Sequence, residues 1–471
     1  MIKAWSLMRT NGFHKKLVWI VGAILFAAVC RAQSSVSQIV QAANPQKEKI
    51  SLIVIRADNG AALFSRNADN PMIPASNMKL VVSAAALHYL GSSYAFQTQA
   101  GLLRKNLVII GGGDPLLGEP GLQGSSAGEI FEQIAKTLSQ NGISEVEDII
   151  LDDTFFDSNR VHPQWPPDQL NRWYACEVSG LNFNRNCVRL TARRVSGGSV
   201  VEIDPPTNYV TIKNQIKLIS KGDSAVGAYR SQQPNALVVK GTLNQSAGFD
   251  VAIENPAGLF GALLRENLTS NGIQVKGKLI QKYIKSDPQI QILCRFQTPL
   301  SEVLNRSNKD SLGLAAEALV KTISAENTQG KINGEWPHGL HLIERYLQSL
   351  GIPKDQFVLK DGSGLCRENR LSPRAIVMVL QDMAQKPCWP VFKESLSKGG
   401  LDGTTMKYFK EDKYRGKIAG KTGYINGVRS FSGVCQTPQG DFLFSILTEG
   451  GSSQTRNKIN EIAKAIFDGR W

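Results

Sequence analysis

Leu17 to Cys30 is an unbroken apolar run of 14 residues, preceded by Lys3, Arg9, Lys15 and Lys16 and by no acidic residue. A basic head followed by a run shorter than the roughly 20 residues that span a bilayer predicts a secretory signal peptide over residues 1–32. Ala32 is the cleavage position, and an uncleaved anchor is the alternative. From Ile50 the pattern changes to a hairpin: strand Ile50 to Ile55, turn Asp58-Asn59-Gly60, strand Ala61 to Ser65. Helical spacing begins near Ala75, continues through Lys79, Leu80, Val81, Ala84, Ala85, Leu87 and Leu90, and stops at Gly91.

Residues 96–285 have another texture. Short strand-like runs (Leu107 to Ile110, Ile149 to Leu151, Val200 to Ile203, Tyr209 to Ile212, Ala236 to Val239) alternate with Gly, Pro, Asn and Asp clusters. Helices are expected over Gly128 to Gln140 and Pro256 to Thr269. Each ends in Asn-Gly-Ile, a helix stop in which the apolar residue folds back, and Leu350-Gly351-Ile352 repeats it. After Thr298 the pattern is helical again, through Leu304, Leu312 to Val320 and Leu340 to Leu350. Strands follow over Ile418 to Gly423, Arg429 to Gln436 and Phe442 to Leu447, then an amphipathic helix from Asn457 to Phe467. The two ends therefore read as one α/β body, over 33–95 and 286–471, interrupted by a largely β insertion over 96–285.

At 471 residues, with 42% hydrophobic and 20% charged side chains, the chain has ordinary globular composition, which excludes general disorder. The net charge of +14 invites a nucleic-acid reading. Loss of the signal removes Lys3, Arg9, Lys15, Lys16 and Arg31, leaving 49 basic against 40 acidic side chains, a net +9. No basic block remains, so no nucleic-acid partner is expected; a mildly basic exported protein favours anionic wall or membrane polymers, a peripheral association. Six cysteines survive cleavage, and outside the cytoplasm disulfides are permitted. Cys176 and Cys187 are the best-placed pair, with buried free thiols as the alternative. Without a Cys-x-x-Cys or His-x-x-x-His spacing, neither a zinc site nor a cofactor is expected.

Histidine is scarce, and His88 on the first helix reads as a packed or surface residue. A hydrolase without a histidine base can use lysine if its pKa falls from about 10.4 to near 7, at roughly 4 kcal/mol of lost cation stabilisation. Ser76 and Lys79, three apart at a helix start, place an amine beside a hydroxyl. Ser-x-x-Lys alone is also what a capping serine followed by a surface lysine looks like. Gly420-Lys421-Thr422-Gly423 is more specific. A phosphate-binding loop would need glycine at 415, where arginine stands, and a helix rather than the strand-like Tyr424-Ile425 afterwards.

Ser-x-x-Lys early, Lys-Thr-Gly late on a strand and a serine between them on a helix form the arrangement of penicillin-interacting serine enzymes. The chain resembles the D-alanyl-D-alanine carboxypeptidase and endopeptidase family of low-molecular-mass penicillin-binding proteins with a long insertion. Gly111-Gly112-Gly113-Asp114-Pro115, Asp152 to Asp157, Tyr174 with Val178 to Asn184, Asp361-Gly362-Ser363-Gly364-Leu365 and Asp402-Gly403-Thr404 carry the likeness along most of the chain. So does the spacing of 235 residues from Ser76 to Ser311. The resemblance implies an α/β (α+β) domain of the penicillin-binding-protein and serine β-lactamase type, its antiparallel sheet flanked by helices. It also implies a nucleophile, Ser76; a base, Lys79; a proton relay, Ser311; and Lys421 with Thr422 for the substrate carboxylate. Gly423 and Tyr424 continue that strand, and the backbone N–H groups of Ser76 and Tyr424 would form the oxyanion hole. Peptidoglycan peptides are the implied substrate and β-lactams the implied inhibitors.

One position departs. The family's Ser-x-Asn reads Ser311-Leu312-Gly313, and Asn308, one turn earlier, is the residue expected to substitute for the missing carboxamide. Tyr424 stands where the family usually has Thr or Ser. Two alternatives stay open at this level. One is a wall-binding protein with a degenerate site, motivated by Gly313. The other is a serine β-lactamase, for which Glu177 and Asn182 are similar to the deacylating loop but one residue too far apart and on the wrong side of Ser311.

Overall fold

The continuous apolar runs near the two ends of the chain meet in one sheet. The computed structural model describes residues 34–42, 48–122, 126–285, 287–452 and 454–471; the predicted signal peptide lies outside the described residues. The strands are β1 (Lys49–Arg56), β2 (Ala62–Arg66), β3 (Ser397–Lys398), β4 (Ile418–Ile425), β5 (Val428–Thr437) and β6 (Gly440–Glu449). They are ordered β3-β4-β5-β6-β1-β2, all antiparallel. β1 pairs with β6 from Lys49 opposite Glu449 to Arg56 opposite Phe442, so the first strand closes on the last.

Both faces are covered, which is why β1 reads as a nearly continuous apolar run, interrupted only by Ser51, rather than an alternating one. Leu52 and Val54 face one layer with Phe431, Phe444 and Ile446, while Ile53 and Ile55 face the other with Val434, Leu443 and Leu447. Helix α1 (Met78–Leu90) lies in the second layer and is buried on every side from Met78 to Leu87. Around it pack α2 (Leu300–Asn308), α3 (Gly313–Asn327) and α4 (Pro373–Ala384), and α5 (Thr455–Phe467) covers the first layer.

A second core lies between Ala100 and Phe296. Its main sheet runs in the order Leu279–Gln281, Ile149–Asp152, Asn106–Ile110, Ala95–Leu103, Gln291–Pro299, against helices Ala127–Gln140 and Pro256–Ser270. Two three-stranded sheets, centred on Cys187–Val195 and Ala236–Leu243, complete it. The Gln291–Pro299 strand, on the C-terminal side of position 286, returns to pair with Ala95–Leu103. The strand expected at Tyr209 starts at Thr211 and extends to Leu218. All three Gly-Ile helix stops form: the Ile143, Ile273 and Ile352 N–H groups donate to Leu138, Leu268 and Leu347 at 3.0, 2.9 and 3.3 Å.

The expected Cys176–Cys187 disulfide is not formed: both are free buried thiols. They touch by a hydrogen bond that, with burial, raises Cys176 well above the ordinary thiol value. Among the described residues no helix is long and apolar enough to cross a membrane.

Candidate active site

The chain enters α1 through a sharp turn. Ala75 has φ +46°, and Ala75–Asn77 form one 3-10 turn before the helix. Helical geometry is therefore delayed by three residues relative to the sequence expectation. The turn is tied to the sheet at two points: Asn77 Nδ2 donates to the Lys421 carbonyl at 2.7 Å, and Ser430 Oγ donates to the Pro74 carbonyl at 2.8 Å. Ser76 thereby faces a cleft of about 700 Å³ lined by Lys79, Ser311, Gly313, Ser363, Thr404, Thr422 and Tyr424, and by Trp173 and Tyr174.

Lys79 follows Ser76 by one turn, and its Nζ donates to Ser76 Oγ at 3.3 Å. The lysine is fully buried, and desolvation lowers it to about 8, with the carboxylates of Glu317 and Asp361 acting in the opposite direction. Lys421 is also fully buried, and its Nζ donates to Ser311 Oγ and to the Thr422 carbonyl, both at 2.9 Å. Burial first, then Lys79 and Arg456, hold it well below its ordinary value. Ser311 is not on a helix as expected; it sits in the left-handed region (φ +62°) in the turn before α3, which aims its hydroxyl at Lys421. Thr422 Oγ1 donates to Thr404 Oγ1 at 2.8 Å. Arg456 Nη2 donates to the Gly423 carbonyl at 3.1 Å behind the strand, and the Tyr424 ring is 65% exposed with the Arg429 guanidinium 3.8 Å from its centroid.

All seven predicted site residues thus belong to one place, while Asn308 does not. Its Nδ2 donates to Ser83 and Ser395 at 3.0 and 2.9 Å in the packed interior between α1 and α2, so it cannot replace an amide at 313. Glu177 is ion-paired to Arg230 at 2.7 Å and Asn182 accepts the Ser179 N–H, so neither is placed to activate water at Ser76. His88 lies against Tyr346 and does not line the cleft.

Sequence reasoning left Ser363, Asp361, Glu317 and Thr404 without roles. The Ser363 carbonyl accepts from Lys79 Nζ at 2.6 Å. Gly364 follows with φ +81°, and a Cβ there would stand 1.9 Å from the Ala75 carbonyl oxygen, so only glycine lets this loop reach the nucleophile turn. The signal was present in Asp361 to Leu365 and Asp402 to Thr404 as likeness, and in Glu317 as the acid interrupting an apolar helix.

A family model for the D-Ala-D-Ala carboxypeptidase 3 (S13) family matches residues 32–467. The chain belongs to that family. As an S13 peptidase it is a serine hydrolase. It is 30% identical over 429 residues, 85% of this chain and 78% of the relative, to the D-alanyl-D-alanine carboxypeptidase of Actinomadura sp. (strain R39). It is 24% identical over 443 residues to the Haemophilus influenzae D-alanyl-D-alanine carboxypeptidase DacB, covering 89% and 88% of the two chains. The crystal structure of penicillin binding protein 4 (dacB) from H. influenzae superposes with a TM-score of 0.77 at 22% identity, over 92% of this S13 chain and 98% of the other, and bears out the penicillin-binding-protein type of fold.

Proposed function

We propose that this S13 peptidase removes the terminal D-alanine from D-alanyl-D-alanine peptidoglycan peptides through an acyl-enzyme on Ser76. The observation that carries the reading is the pair of lysine–serine contacts in one cleft, Lys79 on Ser76 and Lys421 on Ser311. Neutral Lys79 takes the Ser76 proton as Oγ attacks the penultimate carbonyl, whose oxygen is received by the Ser76 and Tyr424 N–H groups. Collapse breaks the C–N bond, and the proton returns through Ser311 to the departing amine. Water then enters and gives a proton to Lys79 as its oxygen attacks the ester carbonyl; cleavage of the C–Oγ bond releases the shortened peptide, and Lys79 returns the proton to Ser76 Oγ. Lys421 and Thr422 hold the terminal carboxylate, whose approach raises Lys421 back toward its charged form.

β-Lactams place a strained amide at the same carbonyl position and would acylate Ser76; a relative's structure, that of H. influenzae penicillin binding protein 4, is complexed with a β-lactam. A peptidoglycan substrate and the basic, then apolar, N-terminal sequence support action outside the cytoplasmic membrane. A degenerate wall-binding protein has no need of a lysine pulled down to about 8 beside a serine, and Glu177, paired to Arg230, does not supply the water-activating carboxylate by which a class A β-lactamase deacylates.

The test is labelling of the mature protein by a fluorescent penicillin, with Ser76→Ala as control, followed by D-alanine release from a pentapeptide and cleavage of a cross-linked dimer. Stoichiometric labelling lost in the control, with D-alanine release, supports the reading; dimer cleavage adds the DD-endopeptidase activity. No labelling and no release would sink it, and rapid penicillin turnover without release would favour the β-lactamase.

A further inference from the structure

Glycine at 313 removes the carboxamide expected beside Lys79, and the space is taken: a Cβ on Gly313 would lie 2.9 Å from the Tyr174 carbonyl oxygen. Lys79 nevertheless has a close acceptor in the Ser363 carbonyl, at 2.6 Å against 3.3 Å to Ser76. That carbonyl shares its peptide unit with the Gly364 N–H, which donates to Asp361 Oδ1 at 2.8 Å. The preceding N–H groups of Ser363 and Gly362 donate to Glu317 Oε1 and Oε2 at 2.7 and 2.9 Å, and Trp336 Nε1 donates to Oε2 at 2.8 Å. Glu317 is fully buried on α3, one turn beyond Gly313. The helix that lacks the amide therefore grips the loop that presents a backbone one.

We propose that Glu317 is a positioning residue that, with Asp361, aims the Ser363 carbonyl at Lys79 and so supplies from the backbone the acceptor that Gly313 cannot. The proposal rests on Lys79 being the base for Ser76. Three backbone and indole N–H groups converge on one carboxylate and favour its anion, against burial and the neighbouring Asp361, which push the Glu317 carboxyl up to about 7. The charged or titratable groups around the two residues are Asp361, the Lys321 amine, Lys421 across the cleft, and His162 beside Asp361. The anion at 317 both fixes the loop and favours the protonated form of Lys79, so replacing it has two separable effects. Loss of charge moves the deprotonation of Lys79 to lower pH, and loss of aim lowers the maximal rate.

The experiment is the pH dependence of Ser76 acylation by a fluorescent penicillin, in wild type, Glu317→Gln and Trp336→Phe. Glu317→Gln should move the midpoint of the rising limb down by about one pH unit and lower the plateau about tenfold. Trp336→Phe removes one of the donors that favour the anion, so Glu317 stays protonated to higher pH and the Lys79 midpoint should shift in the same direction by a smaller amount. A role confined to folding would lower the melting temperature or scale the whole profile with the midpoint unmoved, and that result overturns the proposal. If Glu317→Gln does not fold, Trp336→Phe decides alone, an unmoved midpoint again overturning it. Wild type that is not acylated at all would overturn the Ser76 reading along with this one, whereas acylated wild type with unmoved midpoints in the variants overturns only this one.

Discussion

The two walls of the cleft are held by different means. On one side, Lys421 to Tyr424 lie on β4, whose position is fixed by ladders to β3 and β5. On the other, Asp361 to Cys366 form a turn without a ladder, held by two buried carboxylates, Glu317 and Asp361, that collect its backbone N–H groups. A strand spreads its support over many equivalent hydrogen bonds, so a side chain on it can change without moving the wall. A loop built on two carboxylates concentrates its support, so one substitution can move all of it.

Lys421→Ala tests the strand wall where its chemistry is concentrated. It removes the amine from Ser311 and from the substrate carboxylate together, and kcat/KM for D-alanine release should fall about 10³-fold. The melting temperature should hold within a few degrees, because a buried, depressed lysine takes its own desolvation cost with it when it leaves. A large loss of stability instead would mean that this wall, too, depends on a single buried group.

Asp361→Ala should cost stability as well as activity. The carboxylate accepts from Trp165 Nε1, the Gly364 and Cys366 N–H groups and Asn369 Nδ2 at 3.0, 2.8, 2.7 and 2.8 Å. Leaving these donors buried and unpaired costs about 3 kcal/mol or more, visible in thermal denaturation, and acylation should drop about 100-fold as Ser363 moves off Lys79. Unchanged stability would place the support of this wall elsewhere.

A gentler perturbation is pH. With Lys79 lowered to about 8, roughly one tenth of it is neutral at pH 7, against about one in 3,000 for an ordinary lysine. Acylation should therefore rise about eightfold between pH 7 and 8.5 and level off above. A limb with its midpoint above 10 would show that burial does not tune this lysine.

The difference between the walls also explains what the sequence disclosed. Strands β1 and β6 are mostly apolar runs bounded by turns, β4 carries the Lys-Thr-Gly motif, and Ser76 and Lys79 sit in a short local motif, so these were legible. Ala95–Leu103 and Gln291–Pro299 were missed because glutamines and threonines alternate with their apolar residues, and their pairing joins segments nearly 200 positions apart. Glu317, Asp361 and Ser363 act through contacts between α3, a distant loop and α1, which no local spacing encodes. Asn308 misled because proximity in sequence to Ser311 says nothing about which way a side chain leaves a helix end; it turns inward to Ser83 and Ser395.

Tyr424 offers the smallest effect and the finest test of the strand wall. Its side chain is largely exposed and stacks on Arg429, while the N–H proposed for the oxyanion hole belongs to the backbone, in register opposite Arg429. Tyr424→Thr forfeits a cation–π contact of about 0.5–1 kcal/mol and leaves the ladder intact. D-alanine release should stay within about threefold of wild type, with any change appearing in KM because only the rim of the cleft is altered. A fall of more than tenfold in kcat would mean that the tyrosine ring itself positions β4, and the contrast between a wall held by its ladder and a wall held by single carboxylates would have to be abandoned.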